Sequence, residues 1–586
     1  MSDRIKWICI FIILCIAFIL RFHDLGAVEY ICDEPEDIPV ALAFFEQPNP
    51  FDLQNSQKTK DPTQAILPFY IGSTVFWLGL PHKLNWSLLW YTRIPFAFIG
   101  WMSVIMVYFL GRELYGTKTG VLGAFLLAIS TYHVGFSRCA ITTGDVCVCF
   151  FTITSLLLFF RGIKEKNLKY LLSCAIVAGL ACASKFSAFL LVVVFFLFFV
   201  FLEKCNFFKM NNMRVRKNVL FITILNVVMI ALLVSVSTLW YKKYFNSEMG
   251  ERMLRSVFLV AVVYVTALLF FMRKIKLLYR PEEVPVVFFN MVLMCIICTF
   301  FASPIHLKPE LFLGALKWFM EFGYNSMIIN EQGSLFNVFS IIALRMGFPI
   351  NVLLLSGGIY IFKHRSEKSN ALILIALFVY LTFFISLRFI LSWYLMPIIP
   401  LIIIVCAKQI VLLFEIFKQK RIRTLFVSLF CISILGQIIN LLAITPYYHL
   451  DGYKWGRQFV GYNKPSFTHF EGIKGCIDWL EKHIPDNSTV GYIVNAKKFI
   501  SSWGADGSNK AFWNVEIYSK LYSVNDTILY KNIRNLEESQ ICDYVIVSSI
   551  YGRDLLEENK HFVLSYRVQQ AGLELYKIYK RIGSSA

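Results

Sequence analysis

Five acidic residues fall within nine positions just beyond the first apolar run of the chain: Glu29, Asp33, Glu34, Glu36 and Asp37. Carboxylates in such a loop can act as a general base, bind a divalent cation, or stand solvated at the surface. A second polar segment, Ser137-Arg138 through Gly144-Asp145, separates two further apolar runs. Arg138 there has the fork geometry to bind phosphate, or to pair with Asp145 and close a helical hairpin. Lys185 stands alone inside 168–202, an apolar stretch too long for a single span of about 20 residues. It therefore marks a hairpin tip or lies inside a bundle. Ionisable residues at such depth are functional candidates, with snorkelling to the interface as the bland alternative. Lys58 and Lys60 add cations to the acidic loop, and Arg388 precedes the aromatic pair Trp393-Tyr394. Taken together these are carboxylates and cations gathered toward one face, the equipment for handling a phosphate-bearing substrate.

What must position them is a membrane bundle. The chain has 586 residues, of which 57% are hydrophobic and only 16% charged, against about 25% charged in an ordinary soluble domain. Runs at 5–22, 88–110, 120–136, 146–161, 168–184, 186–202, 218–239, 254–272, 284–303, 337–362, 371–391, 393–414 and 424–444 each read as a spanning helix, about 13 in all. The run 66–82, broken by Pro68 and Pro81, reads as interfacial. The net charge of +19 lies in short basic clusters between apolar runs, which points to cytoplasmic loops and away from nucleic acid. With the N-terminus in the cytoplasm, every strong cluster falls on that side. The loop 23–87, the turn 137–145, the loop 304–336 and everything after 445 then lie outside. The expected organisation is an all-α polytopic transmembrane domain over 1–445 and a small extracytoplasmic α/β domain over 446–586. The latter is read as a helix at 473–483, strands at 489–494 and 544–548, then a helix and a strand near the end, at 573–579. Most of the 15 cysteines sit in apolar runs and show no metal-ligand spacing, so neither a disulfide framework nor a metal site is expected from them.

The ordered set of motifs resembles the C-type membrane glycosyltransferases, in the branch of protein O-mannosyltransferases and lipid A aminoarabinose transferases. The resemblance rests on Asp33-Glu34 after the first helix and Lys60-Asp61-Pro62 before Leu67-Pro68-Phe69-Tyr70. It continues with Leu110-Gly111-Arg112-Glu113-Leu114-Tyr115-Gly116, Ser137-Arg138 with Asp145, Ser184-Lys185, and Trp393-Tyr394-Leu395-Met396-Pro397. Trp393 stands where the family commonly has Arg. The resemblance implies an enzyme that moves a sugar from a polyprenyl-phosphate donor to an extracytoplasmic acceptor, inverting at the anomeric carbon. It implies Asp33 as catalytic base, with Glu34 positioning the acceptor. Arg138 and Asp145 would shape the donor site, Lys60 and Lys185 would hold its phosphate, and Arg388 and Tyr394 would complete the substrate contacts.

Two other classes compete. A transporter or lipid flippase would carry its charges near the midplane of broken helices in paired repeats, and no such repeat is evident in the sequence. A receptor would place ligand recognition in the outer domain, which carries no clustered acid–base constellation.

Overall fold

A computed structural model describes residues 3–26, 34, 37–38, 41, 66–78, 86–140, 144–202, 217–243, 279, 283–303, 338–339, 342, 348–386, 392–417, 419–444, 473–493, 528–533, 539, 542–548, 556, 560–570 and 573–582. The membrane part comprises α1 (Asp3–Phe22), α2 (Leu67–Trp77), α3 (Trp86–Tyr115), α4 (Thr117–Ala128), α5 (Thr131–Ser137), α6 (Asp145–Glu165), α7 (Leu168–Ser184) and α8 (Leu190–Leu202). It continues with α9 (Lys217–Lys243), α10 (Val284–Ala302), α11 (Phe348–Lys363), α12 (Lys368–Ser386), α13 (Ile399–Ile416) and α14 (Lys420–Ile444). Among the described residues, 7 helices are long and apolar enough to cross a membrane, or 8 if one bent pair counts as a span. Shorter apolar helices occupy the predicted runs 168–184, 186–202, 218–239 and 337–362. The run 254–272 and the loop 304–336 lie outside the described residues. Lipid-facing apolar side chains such as Phe11, Leu355, Phe378 and Ile432 stay exposed, as a bundle in hydrocarbon requires.

Two of the expected spans differ in form. The run 120–136 is a bent pair, α4 and α5 meeting at 62°. Ser130 makes the break, because its hydroxyl accepts from the His133 backbone N–H and so caps a new helix. The run 393–414 opens with a separate 3₁₀ turn, Ser392–Leu395, before α13 begins at Ile399. Pro397 and Pro400 explain the division, since proline suits the first turn of a helix rather than its interior. Close helix approach is bought with glycine at Gly111 and Gly120, where a side-chain carbon on Gly111 would stand 3.1 Å from the Gly120 Cα.

The C-terminal part holds α15 (Ile473–His483) and five strands: β1 (Thr489–Ile493), β2 (Leu529–Ile533), β3 (Tyr544–Ser548), β4 (Phe562–Gln570) and β5 (Leu573–Arg581). They form one sheet in the order β2-β1-β3-β5-β4, with β1 parallel to β2 and β3, and β5 antiparallel to β3 and β4. The helix expected ahead of the last strand is instead β4, the first arm of a hairpin. In β5, Tyr576 and Ile578 face the cluster that contains Cys476, Ile477 and Leu480 of α15, while Tyr579 joins Val545, Val547 and Phe562 on the other face. Trp479 stacks on Tyr566 at 5.1 Å, pinning α15 to the hairpin. Burial pushes the Tyr492 phenol above its ordinary pKa, so it serves as neutral core.

Candidate functional site

The C-terminal end of α1 and the N-terminal ends of α3 and α6 lie at the same end of the bundle, and a buried ion pair ties them together. Glu34 is 0% exposed and Arg93, in the second turn of α3, is 1% exposed. The pair is bidentate: Arg93 Nη2 donates to Glu34 Oε2 at 2.6 Å and Nε to Oε1 at 2.9 Å. Arg93 Nη1 donates to the Leu25 carbonyl at 2.9 Å, and the Ala140 backbone N–H donates to Glu34 Oε1. One carboxylate and one guanidinium thus join the first loop, the turn after α1, α3, and the segment between α5 and α6. A fully bonded pair of this kind offsets the cost of desolvating both charges, and losing either partner leaves a buried charge alone.

Two more arginines hold the end of α1. Arg138, at the C-cap of α5, donates from Nη1 to the Leu20 and His23 carbonyls at 3.0 and 2.6 Å, and from Nη2 to the Asp24 carbonyl at 2.8 Å. The Leu20 carbonyl is one that the helix C-terminus leaves without a helical partner, and those of His23 and Asp24 belong to the turn that follows. Arg21, 0% exposed, donates to the Leu127 and Ala128 carbonyls at the α4–α5 break and lies 2.9 Å from His133 Nδ1. The first loop therefore departs from a helix terminus fixed in all directions.

Beside it, Asp145 begins α6 and Lys185 follows α7. Lys185 has extended backbone between α7 and a short 3₁₀ turn, Phe186–Phe189, so it is the tip of a helical hairpin. Its ammonium meets both Asp145 oxygens, at 2.7 and 2.9 Å, and sits 4.1 Å from the centre of the Tyr394 ring. Asp145 is 3% exposed and Lys185 19%. Gly144 makes the approach: its φ is +71°, and a side-chain carbon there would strike the Ser184 carbonyl and the Pro68 ring. The short α2 is thereby packed against the same corner, and the Ile66 N–H reaches the Ser303 hydroxyl at the end of α10 at 3.5 Å.

Of the residues expected from the sequence, Glu34, Arg138, Asp145, Lys185 and Tyr394 all come to this end. Asp145 is met by Lys185, while the Arg138 guanidinium is engaged by the backbone of α1. Asp33, Lys60 and Arg388 lie outside the described residues. Sequence reasoning missed Arg93, the partner of Glu34, and gave Arg21 no role. The signal for Arg93 was present, since an arginine within the apolar run 88–110 meets the same criterion that singled out Lys185. Of the first-loop carboxylates considered for a divalent cation, Glu29, Asp33 and Glu36 lie outside the described residues.

Residues 74–241 match the family model described as dolichyl-phosphate-mannose-protein mannosyltransferase. That segment runs from α2 into α9 and contains Arg93, Arg138, Asp145 and Lys185. Over those residues the match agrees with the resemblance carried by the motifs. A search of the curated proteins finds no match. Among solved structures, the archaeal oligosaccharyltransferase AglB from Archaeoglobus fulgidus, in complex with an inhibitory peptide and a dolichol-phosphate, is 14% identical with a TM-score of 0.43, covering 97% of this chain and 74% of that one. ArnT from Cupriavidus metallidurans in the apo state is 12% identical with a TM-score of 0.45, covering 100% and 99%. ArnT bound to undecaprenyl phosphate is 11% identical with a TM-score of 0.41, covering 98% of each chain.

Proposed function

We propose that this enzyme transfers a sugar from a polyprenyl-phosphate-linked donor to an acceptor on the extracytoplasmic side, in one inverting displacement with Asp33 as base. The observation that carries the reading is the convergence of Glu34–Arg93 and Asp145–Lys185–Tyr394 at one end of the bundle, within and beside the segment that matches a family described by a dolichyl-phosphate sugar donor. Asp33 precedes Glu34 in the sequence, and Glu34 is held by the Arg93 guanidinium and the Ala140 N–H. The Asp33 carboxylate takes the proton of the acceptor hydroxyl or amine as the acceptor atom bonds to the anomeric carbon. The bond from that carbon to the phosphate oxygen breaks, and the electron pair leaves with the polyprenyl phosphate. Negative charge growing on that phosphate is met by Lys185, a preorganised cation with its other side held by a carboxylate and an aromatic ring. Lys60 and Arg388 are the further cations for the same phosphate. Glu34 serves the acceptor by holding the loop that presents Asp33.

The side follows from the charges. The opposite end of the bundle bears Lys118, Arg161, Lys164, Lys166 and Arg365, as a cytoplasmic face does. The site and the C-terminal domain then share the outer compartment, where the domain covers the site and helps select the acceptor.

The test compares Asp33→Asn with Glu36→Gln, purified and assayed with one polyprenyl-phosphate sugar. Asp33→Asn is expected to lose on the order of 10²- to 10⁴-fold in turnover with folding intact, and Glu36→Gln to stay near wild type. The reverse order would show that the base is misassigned.

A further inference from the structure

Three aromatic rings form one stack on the C-terminal domain. Trp479 of α15 lies nearly parallel to Tyr566 of β4, at 9° and 5.1 Å, and to His483 one helical turn further on, at 11° and 4.7 Å. Packing α15 on the sheet requires only buried apolar contact, yet the stack stays partly in water. Trp479 is half-buried, Tyr566 is 40% exposed and His483 is exposed. Tyr566 reaches the stack through a bulge. Val563 opposes Lys580, so unbroken pairing would set Ser565 against Ile578; the register instead shifts between Leu564 and Tyr566, and Tyr566 opposes Ile578. Bulges of this kind re-aim a side chain, and are over-represented beside working sites. The polar atoms of the stack are uncommitted. His483 Nδ1 donates to the Trp479 carbonyl at 2.7 Å, so Nε2 of the neutral ring is an acceptor. Among the described residues that nitrogen, the Tyr566 hydroxyl and the Trp479 indole N–H have no hydrogen-bond partner, and none of the three is sealed in the core.

We propose that this stack is a carbohydrate-binding platform that takes a pyranose ring of an oligosaccharide. A pyranose presents a face of C–H groups that lies flat on an aromatic ring, and a rim of hydroxyls that needs donors and acceptors together. The exposed Tyr566 ring offers the first. The phenol, the indole N–H and the imidazole nitrogen offer the second. A hydrocarbon chain would leave all three polar atoms unmet. A peptide strand would add to the free backbone edge of β4, the last strand in the sheet order, where no ring stack is required. The oligosaccharide is the acceptor that receives the transferred sugar; that assignment rests on the transferase reading, whereas the binding itself does not.

The test uses the full-length protein in nanodiscs, free of sugar-headed detergent, titrated with mannotriose, maltotriose and chitotriose and followed by saturation-transfer NMR. At least one trisaccharide is expected to take saturation on its ring C–H protons. Tyr566→Phe keeps the ring and loses the hydroxyl, and is expected to bind that sugar about fivefold more weakly, the worth of one hydrogen bond. Tyr566→Ala removes the ring face as well and is expected to weaken binding more than about tenfold. Its melting temperature is expected to stay near wild type, because the side chain is largely at the surface. Asp33→Asn is expected to bind the sugar as the wild type does, so failure of the platform and failure of the transferase reading are told apart. Saturation of none of the three sugars, or equal binding by the wild type and Tyr566→Ala, would overturn the proposal. So would a hexapeptide of serine, threonine and alanine that displaces the sugar and binds more tightly, which would give the stack to a peptide.

Discussion

The two ends of the bundle hold their charges in opposite ways. At the site end, Glu34 and Arg93 are 0% and 1% exposed and Asp145 is 3% exposed. At the basic end, Glu113 bridges Arg161 at 3.2 Å and Lys164 at 2.8 Å, with those cations 32% and 60% exposed, and Lys118 meets Glu415 at 3.8 Å in the open. Exposed pairs are screened and worth little, so the basic end uses its charge for orientation in the membrane rather than for rigidity. The site end takes charges out of water, which is costly unless every polar atom is met. Such pairs fix geometry instead of supplying net stability. Glu34 with its backbone and side-chain donors, and Arg138 with the carbonyls of Leu20, His23 and Asp24, are arranged for that purpose.

The largest expected effect sharpens the contrast. Arg93→Ala strands a buried carboxylate and is expected to cost about 3–5 kcal/mol, read as a lowered melting temperature of the purified protein. Activity falls with it. Replacing both partners, as Glu34→Met with Arg93→Met, removes the stranded charge and is expected to recover much of the stability. Turnover is not expected to return, because the loop carrying Asp33 has lost its clamp. A double variant as active as the wild type would reduce the pair to ordinary packing.

Next comes the partly exposed pair. Lys185→Ala is expected to raise the donor KM by about tenfold, the loss of one cation acting on bound phosphate in ground and transition states alike. Asp145→Asn frees the same cation. If the carboxylate only orients Lys185, donor affinity holds while turnover drops; if the carboxylate competes with the phosphate, affinity rises. Measuring KM and kcat separately for both variants decides between positioning and competition. An unchanged KM in Lys185→Ala would remove the cation from the donor site altogether.

How much of this the sequence disclosed follows the length of each signal. Long apolar runs located nearly every described helix, and the amphipathic spacing of Cys476, Ile477 and Leu480 located α15 at its exact bounds. The α4–α5 break was lost because apolarity continues through Ile129-Ser130-Thr131, although a serine cap was there to read. In β4, Phe562 and Val568 are buried while Val563 and Tyr566 are exposed, and the alternation is blurred by register shifts against β5, so the segment reads ambiguously. At the candidate site, residue types singled out Glu34, Arg138, Asp145, Lys185 and Tyr394, which the fold brings to one end of the bundle. Pairings did not follow, since Glu34 and Arg93 are 59 positions apart and no local spacing encodes their contact. Arg93 itself passed as a tolerated charge in a span.

The smallest expected effect is the one most able to break the comparison. Glu113 belongs to the segment Gly111–Gly116 that helped carry the family resemblance, so motif membership alone would mark it as important as Asp33-Glu34. Its geometry argues otherwise. Both partners reach it from α6 with solvated head groups, and water and salt compensate for what the contact supplies. Glu113→Gln keeps the hydrogen-bonding shape and removes the charge, so stability is expected to fall by less than about 1 kcal/mol. The difference is expected to shrink further as salt is raised from 0.05 to about 0.5 M, where screening shortens the reach of surface charge. Turnover and donor KM are expected to stay within about twofold of wild type, since Glu113 lies at the end of the bundle opposite the proposed site. Glu34→Gln, the same chemical change at the other end, is expected to destabilise strongly and with no salt dependence, because its partner is sealed from ions. If the two substitutions prove equal in cost and in salt response, burial does not separate the ends, and the reading of Glu34–Arg93 as the clamp behind Asp33 fails with it.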